Sequence, residues 1–270
     1  MNSSPIIAFI GGGNMAQAIL AGLRRAGAPA ECFVVVEPQA GPRERLRETL
    51  GIQALAQAGP ALAQASLVVW AVKPQVFAEA AAPCAPHVGG ALQLSIMAGV
   101  RSPAIVAASG SARVVRAMPN TPALIGRGVS GLFAREAVSA AEREQVEAVL
   151  RPTGELVWVA REDDLDAVTA LSGSGPAYVF YFIEAMVRAG TRMGLSAQQS
   201  RLLAEQTFAG AAALSASSGE SPETLRARVT SKGGTTHAAI TSLEADGVGP
   251  AFERALLAAC ARAQELGRAG

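Results

Sequence analysis

A strand-like apolar run that leads directly into a glycine-rich turn constrains this chain more than any other feature. The run is Ile6–Ile10, and the turn after it consists of Gly11, Gly12, Gly13, Asn14, Met15 and Ala16. Gly11 permits a tight turn, Gly13 lets a diphosphate approach the backbone, and Ala16 lets the next helix lie close to the sheet. The free N–H groups at the start of that helix face the phosphates. The sequence therefore predicts a dinucleotide-binding turn, with a tight turn that holds no ligand as the alternative.

Short apolar runs and helical patterns alternate through the first 162 residues. Helical patterns such as Ala16–Ala26 and Glu44–Leu50 separate runs that we interpret as buried strands. This alternation implies a parallel sheet covered by helices on both faces. Besides Ile6–Ile10, the predicted strands are Phe33–Val36, Leu67–Val72, Leu92–Ile96, Val114–Ala117 and Leu156–Val159.

The pattern changes after residue 162, beyond which we find no convincing strand. We therefore expect an α/β protein with a Rossmann-type parallel sheet domain over residues 1–162 and an all-helical domain over residues 163–270. The predicted helical segments lie near 163–171, 176–193, 196–216, 221–229 and 236–267.

Composition and charge argue against several classes of protein. Half of the residues are hydrophobic, 17% are charged, and the formal net charge of +1 comes without a stripe of Lys or Arg. This distribution argues against nucleic acid or an anionic membrane as the main partner. The three cysteines show no metal-binding or redox spacing, which favours a reducing compartment. Neither a signal peptide nor an apolar run of the ~20 residues of a membrane span is apparent, so we expect a cytoplasmic protein.

An acidic residue stands at the end of the second predicted strand. Dinucleotide-binding folds often place a carboxylate there, about twenty residues beyond the glycine turn, to hold the ribose 2′-hydroxyl. Glu37 occupies this position, and Arg43 and Arg45 follow it. Glu37 favours NADH, whereas the two guanidinium groups favour the 2′-phosphate of NADPH. A solvated strand end and solvated helix residues are the alternatives.

Two further motifs follow predicted strands and line the expected coenzyme crevice. Val72-Lys73-Pro74-Gln75 offers an ammonium group, for which the alternative is a solvated surface lysine. Met118-Pro119-Asn120-Thr121-Pro122 fixes the backbone with two prolines and offers the amide of Asn120 to a ligand. For this second motif the alternative is a purely structural turn.

The strongest local signal is Ser172-Gly173-Ser174-Gly175-Pro176, which precedes the apolar segment Ala177–Ile183. Pro176 suits the first position of a helix, with Gly175 or Ser174 as its cap. A helix that is apolar all round must be buried, either in a core or against another chain. A loop of small residues before such a helix presents free N–H groups and a positive dipole end, which suit a carboxylate. A simple cap is the alternative.

A second loop of glycine and threonine, Thr230–His237, lies between two late predicted helices. His237 adjoins this loop and His87 is expected at the surface, but neither has neighbours that form a catalytic triad or a metal cluster. We therefore assign no catalytic side chain and no metal ligand.

Together these motifs resemble the Δ1-pyrroline-5-carboxylate reductase family. They occur in the family's order over the whole chain, as Phe9–Ala16, Ala71–Gln75, Val114–Ala123, Leu171–Phe180 and Val229–Thr236. The resemblance implies reduction of a small cyclic imino acid to L-proline with NADPH or NADH. It also implies a homodimer that interleaves its C-terminal helical domains, with further assembly up to a decamer left open.

The resemblance also implies roles for individual residues. The glycine turn would hold the pyrophosphate, Asn120 would lie near the nicotinamide, and Ser174 and Gly175 would bind the substrate carboxylate. The residues that would line the coenzyme groove are Ala71, Val72, Lys73, Pro74, Met97 and Ala98. The loop that would close the site, from the neighbouring chain, consists of Gly233, Gly234, Thr235 and Thr236.

The chain departs from the family at a few positions that concern the ligands. It has Gln57-Ala58-Gly59 where many members carry an Asn near the adenosine ribose, and Glu37 where members commonly carry a smaller residue. Both leave the choice between NADPH and NADH open, and we expect weak discrimination that slightly favours NADPH. Tyr181 replaces a threonine of some members, so a hydrogen bond to the ring nitrogen of the substrate can change.

Two other functions fit the same overall plan. A β-hydroxyacid dehydrogenase requires a lysine on its long helix, and this chain has no lysine between residues 74 and 231. A non-catalytic nucleotide-sensing protein would have an eroded C-terminal site, whereas Ser172–Pro176 and Gly233–Thr236 are intact. Both alternatives are therefore weaker than the reductase.

Overall fold

Residues 5–269 are described in the computed structural model of this chain, without the side chain of Ala269. Residues 1–4, on which the expectation of no signal peptide partly rests, lie outside the described residues. Spatial contacts divide the chain into a sheet unit, Met1–Ser174 with Ala259–Gly270, and a helical unit, Gly175–Ala258. The functional boundary that we predicted at residue 162 rests on the sequence pattern and stays a prediction.

Seven strands form a single mixed sheet in the sheet unit. They are β1 Ile6–Ile10, β2 Phe33–Val36, β3 Ala65–Trp70, β4 Leu92–Ser95, β5 Val114–Met118, β6 Gly128–Ala134 and β7 Gly154–Trp158. Their spatial order is β2-β1-β3-β4-β5-β6-β7. Strands β1 to β5 run parallel, which confirms the predicted parallel sheet. Strand β6 runs antiparallel to β5 and parallel to β7.

The sequence pattern missed β6, although it predicted the other six strands to within a few residues. Gly128 and Gly131 interrupt the apolar run of β6, and glycine in a strand interior weakens the pattern. Both glycines lie where the structure leaves no room for a side chain. A Cβ atom would be 2.8 Å from the Ala123 nitrogen at Gly128 and 2.6 Å from Val168 Cγ1 at Gly131.

Both faces of the sheet are covered by apolar side chains, as predicted. Consecutive residues of β1 point to opposite faces. Phe9 belongs to one buried cluster with Ile19, and Ile10 belongs to the other with Trp70. The helices of this part of the chain are α1 Asn14–Arg25, α2 Ala40–Leu50, α3 Phe77–Ala81, α4 Ala85–Val88, α5 Ser102–Ser109, α6 Ala140–Leu150 and α7 Asp164–Val168.

The remaining helices are α8 Gly175–Arg192, α9 Ala197–Ser218, α10 Pro222–Arg228, α11 Thr235–Ala245 and α12 Val248–Ala269. The prediction of one continuous helix over 236–267 is wrong, because α11 ends before Gly247, whose φ of +65° is a left-handed conformation that favours glycine. Within Gly175–Ala258, which is described throughout, only Gly190, Ser200 and Ala204 are buried. No helix within residues 5–269 is long and apolar enough to cross a membrane.

Candidate active site

The glycine turn after β1 is crowded at its first glycine and open at its third. Gly11 has a φ of +100°, and a Cβ atom there would lie 2.6 Å from the carbonyl oxygen of Ala71, so no other residue fits. At Gly13, by contrast, a Cβ atom would meet no atom within 4 Å, which leaves open space above the backbone. Helix α1 begins at Asn14, and within residues 5–269 no side-chain cap is recorded at its N-terminus. The first N–H groups of the helix therefore remain available to an anion.

Glu37, which follows β2, is buried and bonded to this turn, so the alternative of a solvated strand end is wrong. Its side chain is buried, and its two carboxylate oxygens accept the N–H groups of Gly12 and Gln39, both at 2.9 Å. Arg43 donates to the main-chain oxygens of Glu37 and Pro38, at 3.0 and 2.6 Å. Each carboxylate oxygen has a second lone pair, so Glu37 retains the capacity to accept a ribose hydroxyl.

The sheet topology brings the predicted coenzyme residues to one edge. Strand β1 has β2 on one side and β3 on the other, so the chain switches direction across the sheet beside the glycine turn. Such a switch point is where open α/β sheets bind nucleotides, outside the carboxyl ends of the strands. Residues 71–74 follow β3 and Met97–Ala98 follow β4, so both segments lie at that same edge. Lys73 is exposed there and Met97 is buried.

The side chain of Asn120 bonds within the protein at both ends. Asn120 follows β5 and is buried. Its Oδ1 accepts the N–H of Val129 in β6 at 3.0 Å, and its Nδ2 donates to the carbonyl oxygen of Ser172 at 3.1 Å. The amide thus connects the strand that the sequence pattern missed with the predicted substrate motif.

The segment before α8 is helical rather than a loop, so that part of the prediction is wrong. Thr169–Gly173 forms a π-helix, and the Ser174 N–H donates to the carbonyl oxygen of Thr169 at 2.8 Å. Helix α8 begins at Gly175, which places Pro176 second in the helix rather than first. The Ser174 amide is therefore already engaged, whereas its hydroxyl forms no hydrogen bond within residues 5–269.

Two aromatic side chains near the start of α8 are not covered by residues 5–269. Phe180 is 58% exposed and Tyr181 is 64% exposed. Of the two predicted ways to bury this helix, a core within the chain is thereby excluded for these side chains. Burial against another chain stays the prediction for them.

The Gly233–Thr236 loop ends in an uncapped helix. Gly233 has a φ of +78°, and Gly234 precedes α11 without a side-chain hydrogen bond to the helix N-terminus. Thr235 and Thr236 are the first two residues of α11. The loop therefore presents free N–H groups and two hydroxyl-bearing residues at one place in the helical unit.

The sequence pattern also missed a buried ionic network in the sheet unit. Glu162 accepts the N–H and the hydroxyl of Ser102, both at 2.6 Å, and Arg116 Nη1 at 2.8 Å. Burial alone raises the pKa of Glu162, but the bonds from Ser102 and Arg116 outweigh it and hold the pKa below its usual value. Burial lowers the pKa of Arg116. The sequence contained one signal for this network, which was the charged residue Arg116 within the otherwise apolar strand β5.

The same network continues to α7. Arg101 donates to Asp163 at 2.8 Å and to the buried Asp166 at 2.7 Å. Residues 162–166 are thereby attached to the start of α5 and to β5. These bonds hold α7 in place, and the π-helix follows directly after α7 in the chain.

Comparison with known proteins matches the two parts of the chain to two family models, and full-length relatives cover both parts. Residues 162–266 match the family model described as pyrroline-5-carboxylate reductase dimerisation, and residues 6–99 match that described as NADP oxidoreductase, coenzyme F420-dependent. The pyrroline-5-carboxylate reductase of Pseudomonas aeruginosa is 44% identical over 266 residues, covering 98% of this chain and 97% of the relative. That of Haemophilus influenzae is 41% identical over 267 residues, covering 97% of each chain.

Solved structures agree with this result. A pyrroline-5-carboxylate reductase from Coxiella burnetii superposes with a TM-score of 0.91 at 37% identity, covering 98% of this chain and 99% of that chain. The Plasmodium falciparum pyrroline carboxylate reductase, solved with NADP bound, has a TM-score of 0.86 at 27% identity, with 98% of each chain covered.

Proposed function

Because this chain belongs to the pyrroline-5-carboxylate reductase family, we propose an assignment of the family's reaction to individual residues. The protein is an NAD(P)H-dependent oxidoreductase that reduces the C=N bond of 1-pyrroline-5-carboxylate to give L-proline. It has a dimerisation domain and is a homo-oligomer that acts on a small molecule. The β-hydroxyacid dehydrogenase and the nucleotide-sensing protein are not supported.

The coenzyme site of this proposal lies at the carboxyl edge of the sheet. The single observation that carries it is the glycine turn, which is closed at Gly11 and open at Gly13. The residues assigned to the coenzyme are Gly11, Gly12, Gly13, Asn14, Met15, Ala16, Glu37, Ala71, Val72, Lys73, Pro74, Met97, Ala98 and Asn120.

The chemistry requires orientation more than a reactive side chain. When bound, the nicotinamide supplies the hydride. A protonated imine is already a strong electrophile, so the reaction requires no dedicated nucleophile. The turn and the strand ends hold the coenzyme, while Ser174 and Gly175 hold the carboxylate and thereby fix the position of the imine carbon. The Gly233, Gly234, Thr235 and Thr236 loop is assigned to closing the site, from the neighbouring chain.

Replacing Gly13 with alanine tests the coenzyme site. The added methyl group meets no protein atom within 4 Å, so the fold should tolerate it, but it occupies the space assigned to the diphosphate. We expect a weaker affinity for NADPH and NADH by about tenfold or more, a loss of ~1.4 kcal/mol, as measured by fluorescence titration. Gly90→Ala, where the methyl group also meets no atom within 4 Å, is the matched control. Unchanged binding by the Gly13 variant would contradict the assignment.

Three broader assignments complete the proposal. We assign residues 163–270 to dimerisation and substrate binding, with assembly of dimers into a decamer as the larger state. The exposed apolar side chains of α8 support an interface there. A cytoplasmic location stays a prediction.

A further inference from the structure

The π-helix Thr169–Gly173 lies immediately before the proposed carboxylate seat. One of its carbonyl oxygens, that of Ser172, lacks the N–H donor that an α-helix would supply. In an α-helix the carbonyl oxygen of Ser172 would accept the N–H of the residue four positions later. That residue is Pro176, which has no N–H. Short π-helical segments within helices frequently occur at functional sites. The α-helical donor to the Ser172 carbonyl is therefore missing.

Asn120 supplies that donor, and it is held in place to do so. Its Nδ2 donates to the Ser172 oxygen at 3.1 Å, while its Oδ1 accepts the Val129 N–H at 3.0 Å. The side chain is buried. Because an amide has one end that accepts and one that donates, the bond to Val129 determines that the NH2 group faces Ser172.

Two close contacts hold the π-helix and the residue before it, Val168, against the sheet. Met118 lies against Gly173, where a Cβ atom would be 2.6 Å from Met118 Cε. Val168 lies equally close to Gly131 in β6. With this packing on both sides, the hydrogen bond from Asn120 to Ser172 is a polar contact between the end of β5 and the turn leading to Ser174.

We propose that Asn120 is a positioning residue for the substrate, because its amide replaces the helix donor that Pro176 lacks and so places the Ser174 hydroxyl. This inference rests on the proposed function of Ser174 and Gly175 as the carboxylate seat. It departs from the coenzyme role assigned to Asn120 above, in which Asn120 lies near the nicotinamide. Because both ends of the amide are bonded within the protein, the side chain acts on the substrate side, through Ser172.

Asn120→Asp is the test, since it keeps the shape and the acceptor for Val129 but cannot donate to Ser172 as a carboxylate. We expect the KM for pyrroline-5-carboxylate to rise about tenfold, the equivalent of ~1.4 kcal/mol and one lost hydrogen bond. Binding of L-proline to the enzyme with NADP+ should weaken to the same extent by calorimetry. Affinity for NADPH should stay within about twofold.

Adding Pro176→Ala to Asn120→Asp should partly restore substrate affinity, which would not happen if Asn120→Asp merely disturbed packing. Alanine restores an N–H four residues after Ser172, so the double variant Asn120→Asp, Pro176→Ala should recover part of the lost substrate affinity. Ile105→Val, a conservative change at a fully buried position on α5, is the control for reduced stability without an effect on KM.

Hydrogen exchange separates failure of this inference from failure of the proposed seat. The Ser174 amide, which is bonded to Thr169, should exchange faster in Asn120→Asp whether or not Ser174 binds the substrate. Faster exchange with an unchanged KM would mean that the seat is wrong. Unchanged exchange, equal losses of NADPH and substrate affinity, or no recovery in the double variant would each overturn the positioning role.

Discussion

The sheet unit and the helical unit differ in how much apolar surface each covers by itself. In the sheet unit, Phe9 and Trp70 are fully buried. In the helical unit, Phe180 and Tyr181 are more than half exposed. Burying a large apolar side chain contributes about 1.5–3 kcal/mol, which the helical unit does not gain in a single chain. The sheet unit therefore contains its own core, whereas the helical unit needs a second chain to complete one.

An apolar groove marks the place where the helical unit is incomplete. It has a volume of about 1160 Å³, and aromatic side chains line it. The ring of Phe252 meets those of Tyr178 and Phe182 edge to face, with centroids 5.7 and 5.6 Å apart. Leu243 and Phe208 form other parts of the lining. We expect a helix of the partner chain to occupy this groove.

The largest effect should come from the core of the sheet unit. Phe9 is fully buried and packs edge to face against Phe33, with ring centroids 6.3 Å apart. Phe9→Ala should lower the free energy of unfolding by about 3–5 kcal/mol, because it leaves a cavity. Urea unfolding at several protein concentrations measures this, and the loss should be the same at each. A loss that disappears at high concentration would mean that this core also depends on association.

Phe180→Asp should act through association instead. A charge at the centre of an apolar interface should weaken the dimer by about 2–4 kcal/mol, as expected for a buried aromatic anchor. Light scattering should then detect monomer at micromolar concentrations, with activity lost in parallel. Gln198→Asp, an exposed position on α9, is the control. A fully dimeric Phe180→Asp protein would show that this face of α8 is not the interface.

Local motifs could be predicted from the sequence, whereas features set by distant contacts could not. The glycine turn and the small-residue motif before α8 depend on neighbouring residues, so their patterns are visible in the sequence. Strand β6 depends on glycines that accommodate Ala123 and Val168, and its pattern is therefore weak. The π-helix and the Arg116–Glu162 pair depend on partners 46 or more residues away in the chain. No periodicity reports such contacts.

Ser174, which lies in the sheet unit, tests the proposed carboxylate seat. Ser174→Ala should remove one hydrogen bond to the substrate carboxylate, worth about 1.5–3 kcal/mol in kcat/KM for the imino acid. Coenzyme affinity should be nearly unchanged. Steady-state kinetics and NADPH titration measure the two effects, with Ser66→Ala as a control in the sheet unit. An equal loss of coenzyme affinity would count against the seat.

The smallest effect should be a change of coenzyme preference that is confined to the sheet unit. Glu37→Ser should raise the efficiency with NADPH relative to NADH by about tenfold, if ~1.4 kcal/mol of repulsion with the 2′-phosphate is relieved. Replacing Arg43 and Arg45 together by alanine should shift the ratio in the opposite direction. Glu48→Ser, exposed on α2, is the control. The ratio of kcat/KM values for the two coenzymes should move in both test variants and in no control.

The close approach of α8 and α9 has a consequence for how fast two chains can associate. The three buried residues of the helical unit, Gly190, Ser200 and Ala204, are all small, and a Cβ atom at Gly190 would lie 2.6 Å from Ser200 Oγ. Two long helices can therefore form a fixed pair before any encounter. A surface that is ordered in advance loses little side-chain and backbone entropy when it docks. We therefore expect the rate of assembly to depend on collision and orientation of the chains rather than on refolding of either one.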